Sequence, residues 1–261
     1  MEEAIKKELK AIEHNYQVKI IYACESGSRA WGFPSVDSDY DVRFIYFHKP
    51  EHYLSIDPIG VGKNRDVVEV PINKDLDISG WDFTKAAKLL RKSNPPLLEW
   101  LQSDIVYYEY SSVAEQLRNI KSEMVSPKSC IHHYLNMANN NYREYLQGEV
   151  VRIKKYFYVL RPILAATWMM RYDTFPPLSF QTLVNHLFPE GELKKQINQL
   201  LERKMSGMEL DLEKRVSIFH TYFDEAFEEL GKYAQSIDEN KVDSTEKLNC
   251  MFRSALKEVW K

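Results

Sequence analysis

No stretch of this chain approaches the roughly 20 consecutive apolar residues that a membrane-spanning helix needs. The N-terminal Met-Glu-Glu-Ala-Ile-Lys-Lys is charged and helical in character, unlike a secretory leader. Both observations predict a cytoplasmic protein with no membrane partner. Cysteine is scarce: Cys24, Cys130 and Cys250 are widely spaced and odd in number. No Cys-x-x-Cys or Cys/His cluster suggests zinc, and reduced thiols are expected. Positive charge is not in excess. Lys and Arg total 35 against 38 Asp and Glu, a net charge of −3. The chain as a whole is therefore not a polyanion binder, and any nucleic-acid contact must come from a local basic patch. No internal repeat or low-complexity segment is present.

What remains is an ordinary globular composition. The 261 residues are 44% apolar and 28% charged, enough for two modest domains or one large one. Sixteen Tyr and twelve Phe are many for this length. Core and rim packing accounts for them, and stacking on bases is the functional alternative.

The informative stretch begins with Val18-Lys19-Ile20-Ile21-Tyr22-Ala23, an apolar, β-branched run that reads as a buried strand. Gly27-Ser28 then opens a tight turn. Gly has no Cβ, so the backbone can approach an anion closely there. Ser28 and Arg29 begin a short helix, whose unpaired N–H groups and dipole favour a phosphate. A second strand, Tyr40 to Phe47, starts beside Asp39 and Asp41. Alternation along a strand puts i and i+2 on one face. Two carboxylates on one face near a phosphate-holding turn suit Mg²⁺, which takes hard oxygen ligands together with substrate phosphates. Solvated loop acids after a Gly turn are the bland alternative.

Gly27-Ser28, a ten-residue spacer and Asp39-Tyr40-Asp41 between two apolar strands resemble the signature of the DNA polymerase β-like nucleotidyltransferase superfamily. The fuller strings Gly-Ser-Arg-Ala-Trp-Gly and Ser-Asp-Tyr-Asp-Val-Arg resemble the branch of bacterial and phage nucleotidyltransferases associated with RNA repair. The resemblance covers most of the chain, most strongly 22–46 and 76–101. It implies a third carboxylate on a neighbouring strand. Asp77, between Leu76 and Ile78, is the position that matches, and Asp75 is a competitor on the same strand face. It implies two Mg²⁺ ions, with Mn²⁺ as a substitute, held by Asp39, Asp41 and Asp77. The β- and γ-phosphates of a nucleoside triphosphate (ATP among the candidates) would lie against Gly27, Ser28 and Arg29.

The rest of the chain supplies the frame. Ile5, Leu9 and Ile12 mark a first helix over Glu2–Asn15. Gly60, Gly62 and Asn64 mark a flexible connection, where Lys63 and Arg65 form a solvated loop tip or approach a polyphosphate. Asp66 to Pro71 and Leu76 to Ile78 read as strands. Asp82 reads as the N-cap of a helix over Phe83–Lys92. Asn94-Pro95-Pro96 stops that helix and starts another, and Ile105 to Tyr108 is a last strand. From Ser111 onward the pattern is helical. One helix is expected over Glu149–Tyr172 with Pro162 kinking it, and later ones over Phe180–Leu187, Leu193–Met205, Leu212–Ala234 and Ser244–Trp260. A polar stretch near Asp238-Glu239-Asn240-Lys241 precedes the last. Lys154, Tyr158 and Arg161 lie on one face by the i, i+4, i+7 rule. With Lys155 they could grip a triphosphate from across a cleft, or form a solvated basic face.

The expected fold is α+β. An N-terminal nucleotidyltransferase domain, 1–110, carries a mixed sheet flanked by helices, and an all-helical domain spans 111–261. The implied activity is transfer of a nucleoside monophosphate to an acceptor hydroxyl or phosphate, with release of pyrophosphate. RNA is the acceptor that the resemblance implies. A small molecule or protein side chain is the alternative, and a non-catalytic nucleotide-binding module is a third reading. Oligomeric state has no signal in the sequence.

Overall fold

A computed structural model describes residues 1–62, 65–70, 75–207, 212–238 and 243–261. The expectations at Lys63, Asn64, Pro71 and Glu239-Asn240-Lys241 lie outside the described residues. The chain divides into two compact units. The first comprises Met1–Ala30, Asp39–Met124 and Lys241–Lys261; the second comprises Trp31–Ser38 and Val125–Asn240. A single cut at 110 therefore does not describe the chain. The helix following 110 and the last helix belong with the sheet, and the motif's own spacer belongs with the second unit.

In the first unit the elements are α1 (Glu2–Tyr16), β1 (Val18–Glu25), α2 (Gly27–Ala30), β2 (Tyr40–His48), α3 (Pro50–Tyr53), β3 (Val67–Glu69), β4 (Leu76–Asp82), α4 (Phe83–Arg91), α5 (Pro95–Trp100), β5 (Val106–Glu109) and α6 (Ser111–Met124). The sheet order is β3-β4-β2-β1-β5. β2 and β4 run parallel, and the other three pairings are antiparallel. In β1 every residue except Lys19 is buried, because helices cover both faces of the sheet. Ile5, Leu9 and Ile12 of α1 join Ile20, Val42, Phe44 and Ile78 in one core cluster. Burial of each such side chain contributes about 1.5–3 kcal/mol relative to exposure. On the other face Phe47 stacks on Phe83 at 4.5 Å.

β4 runs on past the expected Ile78 to Asp82. Gly80 sits inside it because a Cβ there would meet the Phe44 ring at 2.2 Å. Asp82 caps α4 as expected, accepting from the Thr84 N–H at 2.8 Å, and it also accepts from the Tyr53 hydroxyl at 2.6 Å. Asn94 caps α5.

The second unit holds α7 (Pro127–Tyr145), β6 (Val150–Arg152), α8 (Lys155–Tyr172), α9 (Phe180–Leu187), α10 (Glu192–Met205), β7 (Leu212–Lys214) and α11 (Ser217–Ser236); α12 (Thr245–Val259) returns to the first. Two expected helical starts are corrected here. Residues 150–152 and 212–214 form an antiparallel ribbon, with Val151 opposite Glu213. Val150-Val151 is β-branched and Val151 is buried, which favours pairing over an extra helical turn. The helical region thus carries one small two-stranded sheet. α8 continues through Pro162 and is buried on nearly all sides. The spacer 31–38 is fixed in this unit by Phe33, whose ring lies 5.1 Å from both Phe157 and Phe180.

Candidate active site

β1 ends at Glu25, and the chain turns at Gly27 into α2. Gly27 has φ +61°, a left-handed conformation that Gly adopts without the Cβ penalty. A Cβ built there would lie 2.1 Å from Asp41 Oδ2. The glycine is required twice over, by its backbone and by the carboxylate packed against it. Ser26 N–H donates to the Asp41 carbonyl at 2.9 Å, which ties the turn to the start of β2.

Asp41 and Asp77 are direct partners on the parallel strands β2 and β4. Parallel register puts partnered side chains on the same face, and here they share one cation. Arg43 Nη2 donates to Asp77 Oδ2 at 2.7 Å and to Asp41 Oδ1 at 3.2 Å. Its Nη1 donates to the carbonyls of Val42 at 3.0 Å and Asp77 at 3.1 Å. Asp39 lies exposed one residue before β2, and its carbonyl accepts from Arg29 Nε at 3.2 Å. The Arg29 guanidinium lies 3.8 Å above the Tyr40 ring centre. Burial pushes the Asp41 carboxyl above the ordinary carboxylate range; Asp77 and Asp39 add to the rise, while Arg43 and Arg29 oppose it. Asp75, the competing acid, is exposed before β4, and its carbonyl accepts from Tyr40 N–H at 2.9 Å.

Beneath Asp41 lies a residue that the sequence reading passed over. Glu25 is fully buried. Its Oε1 accepts from Asp41 N–H at 2.9 Å, and its Oε2 accepts a short bond from the Tyr107 hydroxyl. Burial raises its carboxyl above the ordinary value of 4.5, against the Tyr107 and Asp41 bonds that lower it. Glu25 is thus a positioning residue for Asp41. Its signal in the sequence was an acid closing an apolar strand directly before Ser26-Gly27.

The second-unit candidates stand apart from one another in exposure. Lys154 is exposed just ahead of α8. Lys155 Nζ sits 3.8 Å from the Tyr145 ring centre and 4.8 Å from that of Tyr158, as cation–π pairs do. Tyr158 is 41% exposed, but Arg161 is 1% exposed. Arg161 Nη2 donates to the Pro177 carbonyl at 3.4 Å, and its guanidinium lies 5.6 Å from the Trp31 ring centre. One accessible basic face through 154, 158 and 161 is therefore corrected: α8 is an internal helix by its second turn.

For a metal, the donor chemistry fits. Asp41 and Asp77 offer hard carboxylate oxygens on one face, and the charge of Asp39 reaches Asp41. The cation they hold is the Arg43 guanidinium. Among the described residues, no three His, Cys, Asp or Glu side chains surround a common point that could take an ion. No helix among the described residues is long and apolar enough to cross a membrane.

The tight approach of Gly27 to Asp41 makes a direct prediction. Gly27→Ala should lower stability by about 1–3 kcal/mol from backbone strain. It should also reduce any Asp41-dependent turnover by tenfold or more, since misplacement by about 1 Å can cost about a hundredfold. Melting temperature and rate read the two effects, and unchanged values for both would contradict this geometry.

Among known proteins, the family described as RlaP, RNA repair pathway DNA polymerase beta family, matches residues 1–254. The uncharacterized protein YcgL of Bacillus subtilis (strain 168) is 52% identical over 261 residues, which is 100% of this chain and 98% of that protein. Among solved structures, a nucleotidyltransferase-like protein from Exiguobacterium sibiricum 255-15 covers 98% of this chain and 89% of its own. Its identity is 9% and its TM-score 0.30, a likeness on which nothing further rests.

Proposed function

The chain belongs to the RNA repair pathway DNA polymerase beta family, and from that membership we propose that it is a Mg²⁺-dependent nucleotidyltransferase acting on RNA. It moves a nucleoside monophosphate from a nucleoside triphosphate to an RNA hydroxyl or phosphate and releases pyrophosphate. The observation that carries this reading is the in-register pair Asp41 and Asp77, with the Asp41 carboxylate packed on Gly27.

Two Mg²⁺ ions held by Asp39, Asp41 and Asp77 would supply charge stabilisation to the attacking and leaving oxygens. The remaining roles belong to the chain itself. Glu25 holds the Asp41 backbone, so the carboxylate is fixed before substrate arrives. Asp77 is half-buried beside it and is the group assigned to take the proton of the acceptor hydroxyl at its carboxylate. Gly27 leaves the backbone of the turn open to close approach, and the Ser28 N–H and hydroxyl are assigned to the β- and γ-phosphates. Arg29 adds fixed positive charge beside the acids. From the second unit, Lys154, Lys155 and Tyr158 are assigned to nucleotide contact. Arg161, being enclosed, is assigned to positioning the spacer through Trp31.

The test is incubation of the full chain with each α-labelled nucleoside triphosphate, Mg²⁺ and total RNA. Label on RNA is the expected result. Label on protein or on a small molecule, with none on RNA, would replace the acceptor while keeping the chemistry. No transfer from any of the four nucleotides to any acceptor would overturn the reading.

A further inference from the structure

Arg43 occupies a position in the acid pair that a strand residue need not occupy. Its guanidinium is 18% exposed at the side chain, against 31% for Asp41 and 30% for Asp77. Nη2 spans one oxygen from each carboxylate, and Nη1 is anchored on two backbone carbonyls, one from each strand. A planar fork with five donors can make all four contacts at once; a lysine ammonium cannot. Both oxygens of Asp41 are engaged by this arrangement. Oδ1 is on Arg43, and Oδ2 is turned to Gly27, where even a methyl group would not fit. A second cation that bridges Asp41 Oδ1 and Asp77 Oδ2 must take both oxygens from Arg43.

From this geometry we infer that Arg43 is the built-in counter-cation of the acid pair. It holds Asp41 and Asp77 side by side before metal arrives, and it competes with the metal for the same oxygens. It is a positioning residue that sets how tightly the site takes Mg²⁺. The inference rests on the nucleotidyl-transfer reading above, because only that reading brings Mg²⁺ to these acids. The exchange has a plain physical course. Without metal, two carboxylates on adjacent strands would repel, and the guanidinium offsets that. Mg²⁺ at these carboxylates would take the two oxygens from Nη2, while the Nη1 bonds to the Val42 and Asp77 carbonyls would keep the guanidinium in place. The site then carries a fixed positive charge next to the ion, which weakens metal binding.

This account makes a counter-intuitive expectation. Removing a residue that touches both acids should tighten metal binding, not loosen it. A purely structural Arg43, needed only to keep β2 and β4 in register, would give the opposite sign. The experiment is calorimetric titration of the full-length protein with Mg²⁺ alone, with no nucleotide and no turnover readout. Arg43→Gln, which keeps donors but removes the charge, should bind Mg²⁺ roughly tenfold more tightly, since a unit charge a few ångströms from a divalent ion is worth at least that in a partly solvated site. Arg43→Lys keeps the charge but loses the fork; it should tighten binding by a smaller factor, about two- to fivefold. It carries the test should the Gln variant not fold. Metal-free melting temperature should fall in Arg43→Gln, where the repulsion is no longer offset, and fall less in Arg43→Lys, which keeps the charge.

Equal or weaker Mg²⁺ binding in the folded variants would overturn the role of Arg43 while leaving the metal site standing. Failure of the underlying reading looks different. The parent would then show no Mg²⁺ binding that Asp77→Asn removes, and the inference would fall with it.

Discussion

Asp41→Asn and Asp77→Asn should each lower nucleotidyl transfer by about a hundredfold or more, the usual scale for losing one preorganised electrostatic contact. The fold should survive both. Asn has the size and shape of Asp, and both positions are hydrogen-bonded through strand pairing that the side chain does not supply. The two variants should differ in stability. Asp41 is disfavoured as an anion by its burial, so a neutral Asn should leave the melting temperature level or raise it. Asp77 loses a partly exposed ion pair with Arg43 at 2.7 Å, which is worth no more than about 1 kcal/mol. No relief of carboxylate repulsion is expected at Asp77, because Arg43 already offsets it. Asp75→Asn is the control, and it should retain most of the rate. Loss of rate at Asp75 with retention at Asp77 would move the third carboxylate from Asp77 to Asp75.

Glu25→Ala carries the largest expected loss of stability. It leaves the buried Tyr107 hydroxyl and the part-buried Asp41 N–H without the acceptor they share. Each unmade bond costs about 1–3 kcal/mol, so a loss of about 2–6 kcal/mol is expected, a large share of a typical 5–15 kcal/mol. Glu25→Gln keeps an acceptor for Asp41 and should cost much less. The pH dependence has a definite sign. The Glu25 carboxyl is raised in the folded state, so folded protein binds its proton more tightly than unfolded chain does. That contribution is fully present below the ordinary value of 4.5 and is lost as pH rises through the raised one. Asp41, also raised, acts in the same direction. Chemical denaturation across that window should show stability falling with rising pH in the parent and falling less in Glu25→Gln. A flat profile in the parent would remove the buried-carboxylate account.

Much of the site could be read from local sequence, because its parts are close in the chain and each has a strong pattern. The strand before Gly27, the turn itself, the alternation that places Asp41 on a face, and the caps at Asp82 and Asn94 are all short-range signals. What escaped was non-local. Glu25 is buried because Tyr107, 82 residues away, meets it, and nothing next to Glu25 announces that partner. Arg43 had a local signal, since i and i+2 alternation puts it on the face of Asp41, but its purpose appears only when β4 brings Asp77 alongside. The ribbon of β6 and β7 pairs segments about 60 residues apart, so each half alone looked like the start of a helix. The last helix follows a polar stretch far along the chain from the sheet, yet Phe252 packs 5.9 Å from both Phe47 and Phe83 of the sheet unit. Arg161 shows the limit of helical-wheel reading: the wheel gives a face but not what covers it.

The most direct test of the central claim is a crystal structure of the full chain grown with Mg²⁺ and a non-hydrolysable nucleoside triphosphate analogue. The account predicts an ion on the carboxylates of Asp41 and Asp77 and the analogue's phosphates against the Gly27–Ser28 turn. An analogue bound elsewhere on the chain, with Asp41 and Asp77 still closed on Arg43 and no ion between them, would contradict it.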